Sequence, residues 1–284
     1  MSRFLLGIIL NAGFIVVEII YGLMANSVAL IADAVHNASD VLGLALVWAS
    51  YYIADQRAPH KFTFGYKNAT IFAAFLNCII LLCAIANLLW ESVHRFAAPE
   101  PVASTIVIYV AMFGVFINGV TALLFVKDRQ TDININALFL NMALDTVLSI
   151  SVVVGGILIW WKGWNIVDPT LGIIIAVTII YSFWGVFKES INLIFQAVPA
   201  NIDLHEIIAA IEAMQQVVSY HDLHVWALST TETALSVHIV TDGQDYNPLL
   251  IHDLAQIFRD KFKINHTTIQ MEVAGVATDC SSDC

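Results

Sequence analysis

Two pairs of polar side chains, each pair spaced four residues apart, interrupt long apolar stretches of this 284-residue sequence. The first pair is His36 and Asp40, and the second is Asn141 and Asp145. Four residues advance an α-helix by slightly more than one turn, so the members of each pair lie on one helix face, within about 40° of each other. An imidazole, an amide and two carboxylates would supply the four ligands expected for zinc and related divalent ions. The spacing therefore predicts a metal site if the two faces meet.

Each of these acids has an alternative interpretation as a structural residue, hydrogen-bonded inside the protein. Two such pairs on separate segments favour a binding site, because an intramembrane charge costs a few kcal/mol unless it is paired, protonated or bound to a cation. Glu18 and Asp33 are the other acids within apolar segments. They either guide ions at the mouth of a cavity or pair locally, and the sequence leaves both interpretations open.

The segments that carry these residues are predicted to be membrane-spanning helices. Apolar residues make up 59% of the chain, charged residues make up 12%, and the mean hydropathy is +0.78. These values exclude an ordinary soluble protein. A helix that crosses about 30 Å of hydrocarbon needs about 20 mostly apolar residues. Six stretches meet that requirement, at 4–24, 28–54, 69–91, 103–126, 137–161 and 167–187.

The distribution of basic residues predicts how these spans are oriented. With six spans both termini lie on one side of the membrane. The loops of the opposite side hold only Arg95 and Lys162. The side with the termini holds Arg3, Arg57, Lys61, Lys67, Lys127, Arg129 and Lys188. The positive-inside rule therefore predicts that both termini are cytoplasmic.

After Pro199 the sequence becomes typical of a soluble domain. Residues 201–284 contain 12 acidic and 3 basic residues, a net charge of −9, which disfavours nucleic acid as a partner. The same charge either attracts cations or only keeps the domain soluble. A capping sequence at Asp203–Glu206 predicts a first helix, and strand-like alternation follows at 221–228 and 234–240. A second helix is expected from Pro248 to about Phe262, and a last strand at 268–273. The predicted order is αββαβ.

Several motifs together resemble the cation diffusion facilitator family, whose members are proton-coupled exporters of zinc and related ions. The resemblance covers almost the whole chain, with the motifs in the same order. They are Ser-Val-Ala-Leu-Ile-Ala-Asp-Ala-Val-His-Asn-Ala-Ser-Asp at 27–40, Asn141-x-x-x-Asp145, Phe64-Gly65-Tyr66, Asp168-Pro169, Lys188-Glu189-Ser190 and His-Asp-Leu-His-Val-Trp at 221–226.

The resemblance implies a homodimer in a lipid bilayer, here the inner membrane of a bacterium. Each protomer would contain a six-helix transmembrane transport domain at 1–199, a ferredoxin-like αββαβ cytosolic domain for regulation and dimerisation at 200–275, and a polar tail at 276–284. The implied activity is secondary active transport rather than catalysis. A divalent ion, with zinc as the expected one, would leave the cytoplasm by antiport against protons.

Ligands follow from the resemblance by position. The transport site would consist of His36, Asp40, Asn141 and Asp145. Positions that bind regulatory metal in bacterial relatives match His221, His238, His252 and Glu272, so the divalent ion would be both substrate and regulator.

The chain departs from the family pattern at two of these places. Asn141 stands where zinc-type members usually have histidine, and an amide is a weaker, harder ligand that does not titrate near neutral pH. The site is therefore expected to tolerate harder ions such as cobalt, nickel, iron or manganese as well, and cadmium is the remaining zinc-type candidate. Gln270 stands where a metal-binding histidine is common, so the cytosolic site would be partial.

Two other classes of function are alternatives to transport. The same Asn141 would fit a transport-impaired subunit or a metal-sensing scaffold of this fold. A membrane metalloenzyme is disfavoured, because the sequence has no HExxH-type motif, nucleophile elbow or Gly-rich phosphate loop. Cys280 and Cys284 either hold a soft metal in a reducing cytosol or belong to an ordinary polar tail.

Overall fold

The computed structural model of the chain describes residues 2–125, 133–242 and 248–274. Within its helices, the side chains of residues 2–10, 44, 47–48, 124–125, 133–141 and 248 lie outside that description. The side chain of Asn141 and both tail cysteines, Cys280 and Cys284, are therefore outside the described part of the protein.

Six long helices come first, and each coincides with a predicted span. They are α1 (Ser2–Ala25), α2 (Val28–Ala54), α3 (Ala69–Ala97), α4 (Ser104–Phe125), α5 (Ile133–Lys162) and α6 (Val167–Ile194). Among the described residues, α3, α6, most of α4 and the segment Met142–Lys162 of α5 are long and apolar enough to cross a membrane. α1 and α2 stay predicted spans, and polar residues such as Asp33, His36 and Asp40 lower the hydropathy of α2.

The rest of the chain forms α7 (Leu204–Glu212), β1 (Val217–Ala227), β2 (Thr233–Thr241), α8 (Pro248–Phe262) and β3 (His266–Val273). The order of these elements is the one that the sequence pattern predicts. The chain divides into two compact units, one formed by Met1–Leu46 with Leu76–Gly185 and the other by Val47–Phe75 with Val186–Cys284.

In the first unit a tight turn joins α1 to α2. Asn26 adopts a φ of 53°, a left-handed conformation that asparagine tolerates better than most residues, and Ser27 N donates to Gly22 O at 3.0 Å. Ser27 then caps α2, because its Oγ accepts from Leu30 N at 3.1 Å. The carboxylate of Asp168, at the start of α6, accepts from Val28 N at 2.7 Å and from Ser27 Oγ. These bonds fix the N-terminal end of α2, and with it the position along the helix of the polar residues that follow.

The core of the first unit contains buried residues from all six long helices. Its buried residues include Phe14 of α1, Leu30 of α2 and Val152 of α5. Gly114 of α4 allows close approach here, since a Cβ at that position would lie 2.7 Å from Phe14 and 3.3 Å from Ser149 Oγ. The packing leaves no room around Ser149, and its hydroxyl is directed to a partner on α2.

The second unit contains a three-stranded sheet with two helices. Strand order is β1-β2-β3, with β1 and β2 antiparallel and β2 and β3 parallel. Helix α7 begins at Asp203, whose side chain accepts from His205 N at 2.8 Å. Leu235, Val237 and Ile239 of β2 are buried with Leu254 and Phe258 of α8. Alternate residues of the strands consequently point away from this core.

The same unit includes the connection between α2 and α3. Gly65, within the Phe64-Gly65-Tyr66 motif, has a φ of 71°, a conformation that glycine adopts without steric cost. Past this turn, Lys67 pairs with Glu232 in the β1–β2 turn, and Thr70 Oγ1 accepts from Thr230 N at 3.0 Å. The hairpin that carries the polar face of the sheet is thus attached to the beginning of α3.

Candidate metal centres

The first centre joins α2 to α5 in the interior of the first unit. His36 Nε2 lies 3.0 Å from Asp145 Oδ1, and their side chains are 12% and 1% exposed. One ligand atom from each of His36, Asp40 and Asp145 can be chosen so that all three lie within 4.8 Å of one another. The second oxygen of Asp145, Oδ2, has no hydrogen-bond partner although it is buried. The two faces predicted from the i, i+4 spacing therefore meet.

These three residues have the chemistry and nearly the spacing for one divalent ion. Donor atoms bound about 2.1 Å from a tetrahedral ion lie roughly 3.4 Å apart, and the observed separations require only small side-chain movements to reach that value. Two carboxylates and a neutral imidazole carry a charge of −2, which a dication cancels. Asn141 lies one turn before Asp145 on α5, so its backbone position is compatible with a fourth ligand.

Further polar groups surround this centre. Ser149 Oγ of α5 donates to Asp33 Oδ2 at 2.8 Å, and Asn37 Nδ2 donates to Glu18 Oε2 at 3.3 Å. Both acids are predicted from the sequence as polar residues within apolar segments, whereas the two donors are not. Periodicity could have found them, because Asn37 follows Asp33 by four residues and Ser149 follows Asp145 by four.

The second centre lies on the polar face of the sheet in the second unit. Glu272 of β3 bridges two histidines: Oε2 is 2.9 Å from His221 Nε2, and Oε1 is 2.8 Å from His238 Nδ1. The histidines are paired across β1 and β2, with ring centroids 4.9 Å apart. Ligand atoms of these three residues also fall within 4.8 Å of one another. The arrangement provides two nitrogens and a carboxylate for one ion.

Asp222 lies beside this centre, although the alternation of side chains along β1 does not predict it there. Strict alternation would direct Asp222 to the face opposite His221, but the register of β1 shifts between His221 and His224 and Asp222 adopts a φ of 53°. Asp222 Oδ2 consequently lies 3.6 Å from His238 Nε2, and its Oδ1 lies 2.8 Å from His224 Nε2. The motif letters His-Asp-Leu-His were the only sequence signal.

The remaining two positions differ in their placement. His252 lies on the exposed surface of α8 and is not part of the three-residue cluster. Gln270, paired with His238 across β2 and β3, donates from Nε2 to Glu272 Oε1 at 3.1 Å. Gln270 therefore orients the bridging carboxylate.

Comparison with known proteins covers both units. A family model described as the cation efflux transmembrane domain matches residues 4–195, and one described as the cytoplasmic domain of cation efflux proteins matches residues 199–274. The cation efflux system protein CzcD of Alcaligenes sp. (strain CT14) is 34% identical over 267 residues, which cover 93% of this chain and 84% of that relative.

Two further relatives and one solved structure are similar. The cadmium, cobalt and zinc/H(+)-K(+) antiporter of Bacillus velezensis is 34% identical over 95% of this chain and 88% of its own length. The zinc transporter ZitB of Shigella flexneri is 28% identical over 92% of this chain and 84% of its own. The metal-bound C-terminal domain of the CzcD transporter from Cuprividus metallidurans is 44% identical, covering 25% of this chain and 99% of its own, with a TM-score of 0.23.

Proposed function

Because this chain belongs to the cation diffusion facilitator family of divalent-metal efflux transporters, we propose that it exports zinc-type ions from the cytoplasm in exchange for protons. The observation that carries the proposal is the cluster of His36, Asp40 and Asp145 on two helices of the first unit. Its position between long apolar helices makes binding of a cation there a step of transport rather than of catalysis.

Metal binding at this cluster begins from the bond between His36 and Asp145. In that 3.0 Å contact the imidazole of His36 pairs with the carboxylate of Asp145, and a metal ion would use both groups as ligands. The ion replaces the hydrogen bond with two coordination bonds, and every ligand must be deprotonated for this to happen. Protons are thereby released as the metal binds. Protons that reach the site from the far side reverse the reaction and displace the ion.

The choice of ion depends on Asn141 as the fourth ligand. Relatives named for zinc, or for cadmium, cobalt and zinc, support an ion of this group. An amide oxygen in place of imidazole reduces the preference for zinc, so we propose that Zn²⁺ is carried together with Co²⁺, Ni²⁺, Cd²⁺, Fe²⁺ or Mn²⁺. The coupled protons would leave from His36 and from carboxyl groups, since Asn141 has no proton to exchange.

We assign a regulatory role to the centre of the second unit. His221, His238 and Glu272 are held within coordinating distance and remain accessible to ions, His221 being 32% exposed. The match of residues 199–274 to the cytoplasmic domain of cation efflux proteins supports a homodimer built with this domain. His252 would contribute from the surface of α8 in that dimer. The basic loops support an inner-membrane protein with both termini in the cytoplasm.

Reconstituted protein tests the proposal directly. In proteoliposomes loaded with a zinc-sensitive dye and carrying a pH gradient, the wild type is expected to move zinc and dissipate the gradient. Asp40→Ala and Asp145→Ala should abolish both signals, because each removes one of two carboxylates from a three-residue cluster. Asp55→Ala, an exposed acid beyond the end of α2, is the matched control and should behave as wild type.

Other outcomes would identify other functions. Zinc binding without any flux would indicate the transport-impaired subunit or metal-sensing scaffold that Asn141 also fits. Flux that survives both substitutions would remove His36, Asp40 and Asp145 from the transport site.

A further inference from the structure

Two carboxyl groups lie side by side in the core of the first unit, next to the metal centre. Glu18 of α1 and Asp33 of α2 are both 0% exposed, and their side chains are within hydrogen-bonding reach of each other. One oxygen of each has a protein donor: Ser149 Oγ for Asp33 Oδ2 and Asn37 Nδ2 for Glu18 Oε2. The pair is therefore a defined structural feature separate from the three-residue cluster.

The other two oxygens of this pair have no protein donor. Glu18 Oε1 and Asp33 Oδ1 are buried and lack a hydrogen-bond partner. Two adjacent carboxylates cannot both be ionised cheaply, and a single proton held between them gives both oxygens a partner. Ser149 and Asn37 thus satisfy one oxygen of each acid, and a proton shared between Glu18 Oε1 and Asp33 Oδ1 would satisfy the other two.

Among the described residues, no lysine or arginine forms a hydrogen bond or an ion pair with Glu18 or Asp33. The sequence has no lysine or arginine between residues 4 and 56 or between 130 and 161, and none on α4, which packs against α1 and α5. The other titratable groups that act electrostatically on the pair are Asp145 of α5, which acts on both acids, and His36 of α2, which acts on Asp33. Neutralisation of Glu18 and Asp33 therefore depends on a mobile cation.

We propose that Glu18 and Asp33 form a proton-binding site distinct from the metal ligands, which holds one proton and releases it when a divalent ion binds at His36, Asp40 and Asp145. The assignment of this proton-binding site rests on the proposed metal–proton exchange. The carboxylate of Asp145 acts electrostatically on both members of the pair. A dication at Asp145 cancels that repulsion and attracts the second negative charge. Departure of the proton also limits the change of net charge in the bilayer core, where charge is expensive.

Counting protons tests this site. Purified full-length protein in weakly buffered detergent solution is titrated with zinc, and a pH indicator reports the protons released per bound zinc. Glu18→Gln and Asp33→Asn keep hydrogen-bonding side chains of nearly the same size, so each is expected to bind zinc and to release up to one proton fewer than wild type. Glu91→Gln, the same change at an acid whose side chain is 48% exposed, should release the wild-type number.

The proposal is overturned if both core variants bind zinc and release as many protons as wild type. A dependence of zinc binding on K⁺ or Na⁺, with choline as the reference ion, would make the pair a site for a monovalent metal ion and would equally overturn the proton assignment. If wild-type proteoliposomes exchange zinc for protons but the variants release the wild-type number of protons, the Glu18–Asp33 site is disproved and the antiport is not. If zinc flux leaves the pH gradient intact, the proposed antiport is disproved as well.

Infrared spectroscopy of the wild type covers the case in which a core variant does not fold. Zinc binding should remove the carbonyl band of a protonated carboxyl group from the wild-type spectrum, and the same loss should be seen in Glu91→Gln. A wild-type difference spectrum without that band contradicts the shared proton, whatever the variants do.

Discussion

The two candidate metal centres of this protein both combine imidazole with carboxylate groups, but they are built on different secondary structure. In the first unit a histidine and two aspartates come from two helices: the four-residue spacing places His36 and Asp40 on one face of α2, and the packing of α2 against α5 brings Asp145 to that face. In the second unit two histidines and a glutamate come from three strands, and the pairing of those strands brings them together. Helical spacing is local in sequence, whereas strand register depends on residues far apart in the chain.

Their electrical surroundings differ as well. Asp145 is 1% exposed and lies among helices without a lysine or arginine nearby, so its charge requires a cation or a proton. The sheet centre is more open to water, with Asp222 and Gln270 completing the surroundings of its histidines and Glu272. A site of the first kind suits an ion that must be exchanged for protons. One of the second kind suits an ion that equilibrates with the solvent.

The largest effect that would sharpen this comparison is expected from Glu272→Ala. The change removes the group that bridges His221 and His238, so the affinity for zinc at the sheet centre should fall by more than the roughly 10- to 100-fold that outer partners of a metal cost. Calorimetric titration of the full-length variant with zinc should no longer show the class of sites assigned to the sheet centre, and should still show the class assigned to the helices. Glu212→Ala, an exposed acid of α7, serves as the control.

Transport in the Glu272→Ala variant should keep its maximal rate in proteoliposomes, with only its dependence on metal concentration changed. Complete loss of flux in a folded variant would contradict the division into a transport centre and a regulatory centre.

An intermediate effect is expected from Asn141→His. An imidazole in place of the amide should raise the preference for zinc over manganese or cobalt by about tenfold, equivalent to roughly 1.4 kcal/mol, because nitrogen ligands suit zinc better. Competition between these ions for uptake into proteoliposomes measures the change. Unchanged selectivity would show that residue 141 does not determine which ion is carried.

The smallest effect is expected from Gln270→His. This substitution adds a nitrogen ligand beside His238, its partner across the strands, and should raise zinc affinity at the sheet centre by about three- to fivefold, under 1 kcal/mol. Zinc titration of the Asp145→Ala variant, with and without Gln270→His, isolates this centre. Equal affinities in the two proteins would mean that residue 270 cannot reach the ion.

Prediction from sequence succeeded where the pattern was local. The family assignment is confirmed by the matches at 4–195 and 199–274, and divalent-metal efflux is supported by the names of the relatives. All six predicted spans coincide with helices, four of which are apolar enough to cross a membrane among the described residues. The four-residue spacing placed His36, Asp40 and Asp145 on the faces that meet. Their role as ligands stays a prediction.

Prediction was weaker where a residue departs from regular geometry. Asp222 reaches His238 only through the irregularity in β1, and alternation of side chains would have placed it on the other face. From sequence alone, Glu18 and Asp33 either guide ions at the mouth of a cavity or pair locally, because a sequence does not show which faces of α1 and α2 are in contact. The structure places both acids in the core with two specific donors.

The sequence by itself determined which segments are apolar enough for a bilayer and which few positions within them carry polar groups, since hydropathy and helical periodicity are properties of neighbouring residues. Only the tertiary structure decided which of those groups meet. The approach of α2 to α5 joins His36 to Asp145 across 109 positions of the chain, and strand register joins His221 to Glu272 across 51. The physical reason is that packing and strand pairing bring together residues whose separation along the chain carries no information about their distance.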